Sequence, residues 1–276
     1  MAFTKIVRKT HDLLHPVKGE EWCLHRVVQQ RSRFDSNRDL EITPFYLEQQ
    51  ILQCKNNGYS FVSIDELLFS GLTLVKKNKI NISFDDGFKD IYTNAFPIFK
   101  KYSIPFTIYL TTDFPDGKAD LWWIQLENCS TSENDFEYKL KLILNSGRPM
   151  AEEMHRVTKT SIDYDICLNE ALNWTEIKEM VESGLCTLGS HTVSHPGLTR
   201  ISIDDCKREL LLSKERIERM LPVVINHFSY PHSMISNSVR EMVAKCGYLT
   251  AVKGYGGSIR VGDDSFCLNR KYIVQK

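Results

Sequence analysis

The sequence predicts an α/β barrel. Three observations lead there. The chain has 276 residues, long for an ordinary domain but usual for one barrel of alternating strands and helices. Short apolar runs alternate with helical segments along most of it, a rhythm that implies parallel strands joined by crossover helices. Two clusters of ionisable residues, one of aspartates and one of histidines, each follow directly on an apolar run. Barrels of this class carry their chemistry at the C-terminal ends of the strands.

The elements follow in order. "EWCLHRVV" (21–28) reads as a short buried strand interrupted by His25 and Arg26. Over 43–59 a helix is expected, with Thr43 as N-cap, Pro44 at its first position and Asn57-Gly58 as its stop. "SFVSI" (60–64) is the next strand, and Ser63 caps a short helix that closes at Gly71. "KINISF" (79–84) is the strand that delivers Asp85 and Asp86. A helix over 90–103, with Pro97 as its kink, and a strand over 104–112 come next.

The rhythm breaks between Phe114 and Asn173. Pro115-Asp116-Gly117 opens this stretch, and "LWWIQLENC" and polar helical sequence continue it. It is expected to be a helical insertion on the barrel, too short and too polar to bury a core of its own. The chain is therefore read as a single domain over 1–276 with an insertion at about 114–173. The rhythm resumes with a helix over 174–184 capped by Asn173 or Thr175, and the strand "CTLGSH" (186–191). An amphipathic helix over 202–221 stopped by Pro222, a strand over 223–231, a helix over 236–248 and a last strand and loop from 249 complete it.

Composition fits a globular protein with a sizeable core: 42% hydrophobic and 25% charged residues. Lysine plus arginine and aspartate plus glutamate are 35 each, so nothing in the charge balance points to nucleic acid. No stretch is apolar and long enough to span a bilayer. The N-terminal residues lack the apolar core of a secretory signal. The eight cysteines form no C-x-x-C pair. They are expected as free thiols in a reducing cytoplasm.

The chemistry is concentrated in two places. In "NISFDDGFKD" (81–90) an apolar run ends in adjacent carboxylates, and their repulsion calls for a partner. In "GSHTVSHPGL" (189–198) His191 and His195 are four apart, a spacing found in metal sites. Pro196 disfavours helix at His195, so a loop or single turn is expected. Two histidines and one carboxylate make a three-ligand site with open positions, the catalytic pattern for zinc. One aspartate would ligate the metal, and the other would stay ionised as a base. Gly87 lets the chain turn sharply, so the two carboxylates need not face opposite sides as they would in a regular strand.

"ISFDDGF", "GSHTVSHP" and "FSYPHS" resemble the first three motifs of the polysaccharide deacetylase family, carbohydrate esterase family four. "CLHRV" (23–27), "NNGYSFVSIDELL" (56–68), the segment 94–110 and "LNRKYI" (268–273) are similar to the same family, so the resemblance covers nearly the whole chain from Glu21. It implies a distorted (β/α) barrel with fewer than eight regular strands, and removal of acetyl groups from sugars with zinc or another divalent metal. By the same resemblance Asp85 is the base, and Asp86, His191 and His195 are the metal ligands. Pro231 is the motif proline, with Tyr230 beside it at the substrate, and the N–H of His232 helps to hold an oxyanion.

The sequence departs from the family in two places. Phe228-Ser229-Tyr230 stands where well-known members carry an arginine that orients the base, so Arg270 is expected to supply that guanidinium. The late leucine-x-x-histidine motif that holds the general acid is absent, which leaves His232, His25 or metal-bound water for that role. Trp122 and Trp123 either pack the insertion onto the barrel or present a stacking platform to a sugar ring.

The reading is a metal-dependent hydrolase that removes an acetyl group from an N-acetylated sugar or polysaccharide precursor. Zn2+ is the expected ion, and a biosynthetic intermediate in the cytoplasm the expected substrate. A catalytically inert carbohydrate-binding barrel and an amidase on a non-sugar amide are the alternatives.

Overall fold

The computed structural model describes residues 15–70, 78–146 and 150–276. The N-terminal half holds β1 (Val17–Leu24), β2 (Arg26–Val27), α1 (Asp35–Arg38), β3 (Glu41–Ile42), α2 (Pro44–Asn56), β4 (Ser60–Phe61), α3 (Ile64–Phe69), β5 (Lys79–Asp86), a π-helical turn Ile91–Ala95, α4 (Phe96–Tyr102) and β6 (Phe106–Leu110). The insertion supplies α5 (Trp122–Asn128), α6 (Glu133–Asn145), α7 (Met150–Thr158) and α8 (Tyr164–Glu170). Then come α9 (Trp174–Glu182), β7 (Cys186–Ser190), α10 (Ile203–Met220), β8 (His227–Ser229), α11 (Asn237–Lys245), β9 (Thr250–Gly256), β10 (Ile259–Arg260) and β11 (Leu268–Tyr272).

Among the described residues seven parallel strands close a barrel in the order β1-β5-β6-β7-β8-β9-β11 and back to β1. The seam between β11 and β1 pairs Trp22 with Lys271 and Cys23 with Tyr272. The β5–β6 and β6–β7 ladders are long and regular. The distortion lies opposite. β7 and β8 pair only at Ser190 and Phe228, and the β9–β11 register jumps between Leu268 and Arg270. A strand expected over 223–231 shrinks to three residues because its first donors turn back toward the end of α10: Ile225 N–H bonds Glu218 at 2.9 Å and Val223 N–H bonds the carbonyl of the C-cap residue Leu221 at 2.8 Å.

The caps read from the sequence form. Thr43 accepts from the Tyr46 N–H, Ser63 from Glu66, and Asn173 builds a full capping box with Glu176. The expected stop at Gly71 lies outside the described residues. The single helix expected over 90–103 is instead a π turn followed by α4, with Pro97 in its first turn. A proline there loses no helical hydrogen bond.

Strand alternation separates two interiors. On β5, Ile80, Ile82 and Phe84 face outward and pack with Phe96, Phe99 and Phe106 in the layer under the helices. Asn81, Ser83 and Asp85 face the barrel axis, which is polar. There Thr107 bonds Asn81 at 3.1 Å, and Tyr109 donates to Glu21 at 2.9 Å. Tyr109 fits because Gly189 lies beside it on β7: a Cβ there would come within 2.5 Å of the tyrosine ring and 2.9 Å of the His227 carbonyl.

The insertion does bury a small core, contrary to the expectation from its polarity. Phe136 and Ile143, seven apart on α6, join Trp122 and Leu126 of α5 and Met154 of α7. The cluster is completed by Phe34 from the β2–β3 connection, whose ring lies 5.1 Å from Phe136. The insertion is thus closed by a residue of the barrel.

Trp122 is 7% exposed in that cluster. Its truncation to alanine is expected to cost about 3–5 kcal/mol in equilibrium denaturation. A loss below about 1 kcal/mol would show that the indole does not hold the insertion together.

Candidate active site

Asp85 and Arg270 meet at the mouth of the polar axis. Period-two alternation on β11 turns Leu268 and Arg270 inward. The guanidinium is 1% exposed and donates to both oxygens of Asp85, at 2.7 and 2.6 Å. It also donates to Ser83 at 3.1 Å, to Ser229 at 2.9 Å and to the Lys253 carbonyl at 3.1 Å. The jump in the β9–β11 register is where that carbonyl becomes available. Ser229 donates in turn to Asp85 at 3.2 Å. Burial alone would raise the Asp85 carboxyl, but the Arg270 charge and its hydrogen bonds outweigh burial and hold it well below the usual carboxylate range.

Asp86 does the opposite. Its φ of +75° ends the strand at this residue, and Gly87 continues the turn at +118°. A Cβ on Gly87 would come within 2.6 Å of Leu110. One Asp86 oxygen, Oδ1, is buried and accepts no hydrogen bond. It faces His191 Nε2 at 3.6 Å and His195 Nε2 at 3.3 Å. Burial raises the Asp86 carboxyl, with neighbouring histidines only partly opposing it.

The two histidines come from the loop after β7, as Pro196 predicts. Positive φ at Thr192 and His195 excludes a helix there. His191 Nδ1 lies 2.7 Å from the Ser229 carbonyl. A carbonyl only accepts, so Nδ1 carries the proton, and in the neutral ring the Nε2 lone pair faces Asp86. Burial and the adjacent His232 and His191 rings push His195 well below its usual value. Three acceptor atoms, one each from Asp86, His191 and His195, thus lie within 4.8 Å of one another. Converging acceptors around an orphaned carboxylate oxygen fit a bound cation, and this donor set suits a divalent metal.

The other expected site residues divide. His25 is brought in: with Cys23 it places a ligand-type atom within 4.8 Å of an Asp85 oxygen. Its Nδ1 is buried without a partner, its ring lies edge-on to Tyr272 at 5.7 Å, and burial lowers its pKa. His232 is exposed at the mouth, its ring 4.5 Å from that of His195. Desolvation and the charges of His191 and Arg200 pull it down to about 4.

Tyr230 must be corrected. It is buried, donates to the Phe266 carbonyl at 2.8 Å and stands edge-on to Phe228, so its side chain packs outside the barrel axis. Pro231 is also buried and directs the chain into His232 instead of lining the mouth. Trp122 packs in the insertion core, while Trp123 is half-buried and edge-on to Phe88. Both reach a cleft of about 880 Å³ that runs from His195 and His232 along the insertion past Arg200 and Asp113. Ser83 and Ser229 were missed. Each stands two residues from a motif residue, Asp85 or Pro231, so strand periodicity would have found them.

Comparison with known proteins agrees with this fold. Residues 74–251, more than half of the chain, match the family described as polysaccharide deacetylase. A Bacillus subtilis (strain 168) protein named for the same family, YxkH, is 21% identical over 271 residues, 96% of this chain and 77% of that protein. The poly-beta-1,6-N-acetyl-D-glucosamine N-deacetylase of Staphylococcus aureus (strain MSSA476) is 32% identical over 83 residues, 29% of each chain. The solved structure of BC0361, a polysaccharide deacetylase from Bacillus cereus, has the same fold. Its TM-score is 0.66 at 21% identity, over 94% of this chain and 65% of that one. The chain belongs to the polysaccharide deacetylase family.

Proposed function

We propose that this protein removes the acetyl group from an N-acetylated sugar, with a divalent metal, most simply Zn2+, held by Asp86, His191 and His195. The observation that carries the reading is the contrast between neighbouring carboxylates. Asp85 is locked ionised by Arg270, and Asp86 presents an unpartnered oxygen to two imidazoles. When bound, the metal would polarise the acetyl carbonyl and acidify a water.

The chain's own groups supply the rest. Asp85 accepts the proton of the attacking water at a carboxylate oxygen, and Arg270 and Ser229 fix that oxygen's direction. The backbone N–H of His232 donates to the oxygen on which charge develops. His25 takes up the proton that Asp85 received from the water and passes it to the departing amine; its buried, unpartnered Nδ1 and its place beside Asp85 favour it over His232. The cleft along the insertion receives the saccharide. The name of the Staphylococcus aureus relative supports an N-acetylglucosamine-containing substrate, and the free thiols support a cytoplasmic location.

Metal content and acetate release, measured side by side, test the assignment. Asp85→Asn should keep its metal and lose about 10²-fold or more in rate, since an amide accepts no proton. His195→Ala should lose metal and activity together. Metal loss in Asp85→Asn with retention in His195→Ala would reverse the ligand assignment. Full activity in Asp85→Asn would show that this aspartate is not the base and would overturn the proposed mechanism.

Arg270→Gln leaves a carboxylate buried without its cation, at a cost of about 3–5 kcal/mol. In the unmodified chain Asp85 lies below its unfolded value of about 3.9. Its contribution is therefore complete above that pH and is lost as pH falls through the folded value. In the variant burial acts without the opposing guanidinium, so stability at this site should instead fall as pH rises. Unfolding free energies across about pH 3–8 would show the changed slope. An unchanged slope would show that the pair does not set the Asp85 charge.

Asp86→Asn should behave as a functional residue does. It removes a buried, unpartnered carboxylate oxygen, so the melting temperature of the metal-free chain should hold or rise. The rise that Zn2+ gives the unmodified chain should vanish. A clear drop in the metal-free melting temperature would show that Asp86 is structural.

A further inference from the structure

We propose that Arg26 is a positioning residue for the turn that carries Asp86, acting through a clasp between the barrel mouth and the end of the insertion. The inference rests on the metal reading of Asp86, His191 and His195. A non-glycine residue in the left-handed region costs about 1–3 kcal/mol and persists only where its surroundings over-determine it. Asp86, at φ +75°, is such a residue.

The hydrogen bonds show what holds it. The Asp86 carbonyl accepts from Thr111 N–H at 2.9 Å. The Gly87 carbonyl accepts from Leu172 N–H at 2.9 Å, Phe88 bridges to Ala171, and Lys89 N–H donates to the Glu170 carbonyl at 2.7 Å. The three residues after Asp86 are therefore laced to residues 170–172, where the insertion returns to the barrel.

Arg26 fastens both halves of this clasp. Its Nε donates to Asp90 at 2.8 Å, its Nη2 pairs with the Glu170 carboxylate, and its guanidinium lies over the Phe88 ring at 4.5 Å. Asp90 is fixed in turn by the Val27 N–H at 2.7 Å. The Arg26 side chain is 13% exposed. It supplies no atom to the acceptor cluster and does not line the long cleft. Two edges and one face are used at once, which a planar guanidinium can do and an ammonium cannot. Without it the Asp86 turn is free to relax toward ordinary strand geometry, which swings Oδ1 away from the histidines.

The test is titration of the metal-free chain with Zn2+ alone, in competition with a chromophoric chelator. Arg26→Gln should weaken Zn2+ binding about tenfold or more, as loss of an outer support does in other metal sites. Arg26→Lys should fall between it and the unmodified chain. Glu170→Gln should shift affinity in the same direction. Phe136→Ala, which loosens the insertion core without touching the clasp, should lower stability and leave Zn2+ affinity unchanged. Equal affinity in Arg26→Gln and the unmodified chain would overturn the inference, as would an equal loss in Phe136→Ala. If Arg26→Gln does not fold, Glu170→Gln decides, because its side chain is partly exposed. Failure of the unmodified chain to bind Zn2+ overturns the metal reading itself, whereas binding that is indifferent to both clasp variants overturns this inference alone.

Discussion

The buried pair between Arg270 and Asp85 is the constraint around which the barrel is arranged. Moving a guanidinium and a carboxylate out of water is costly, and only good geometry with further hydrogen bonds offsets it. Here both carboxylate oxygens are engaged, and Ser83, Ser229 and the Lys253 carbonyl take the remaining donors. Those groups come from β5, β8, β9 and β11. The partners are 185 residues apart in sequence, and the pair exists only once β11 has closed against β1. The irregular register of β9 and β11 is part of the same arrangement, because the bulge leaves the Lys253 carbonyl to the arginine. Closure of the barrel and the pairing of Asp85 with Arg270 therefore go together.

The pair also explains how two adjacent aspartates coexist. Asp85 follows the strand, points to the axis and meets its cation. Asp86 leaves the strand through a left-handed conformation and points to the histidines instead. The repulsion between the carboxylates is answered from both sides, by a guanidinium on one and by a cation-ready pocket on the other. Asp86 thus stores two local costs, its backbone conformation and its unpartnered oxygen. Sites that bind a charged ligand often carry such costs.

The insertion has a structural connection to that site as well as a place in the cleft wall. Its small core shares Phe34 with the barrel, and its last residues lace to the segment after Asp86. A polar helical excursion between β6 and β7 is therefore not a passive ornament: it ends against the turn whose geometry sets the pocket.

Much of this was legible in the chain. The alternation of elements, the caps at Thr43, Ser63 and Asn173, and the positions of Asp85, Asp86, His191 and His195 after apolar runs are local signals. Local physics determines them: backbone donors at helix ends, proline at His195-Pro196, glycine at a turn. The need for a distant guanidinium also followed from the motif, with Arg270 as its candidate. What only the tertiary structure decided were the directions of side chains and the partners across strands. Tyr230 lay in a motif yet packs outward, because a short, weakly paired β8 sends alternate residues to opposite faces. Strand periodicity places Ser83 and Ser229 on the inner face, but their partner, and the clasp at Arg26, come from neighbours remote in sequence. The insertion's core was invisible for the same reason: its apolar residues come together from separate helices, and Phe34 joins them from far upstream.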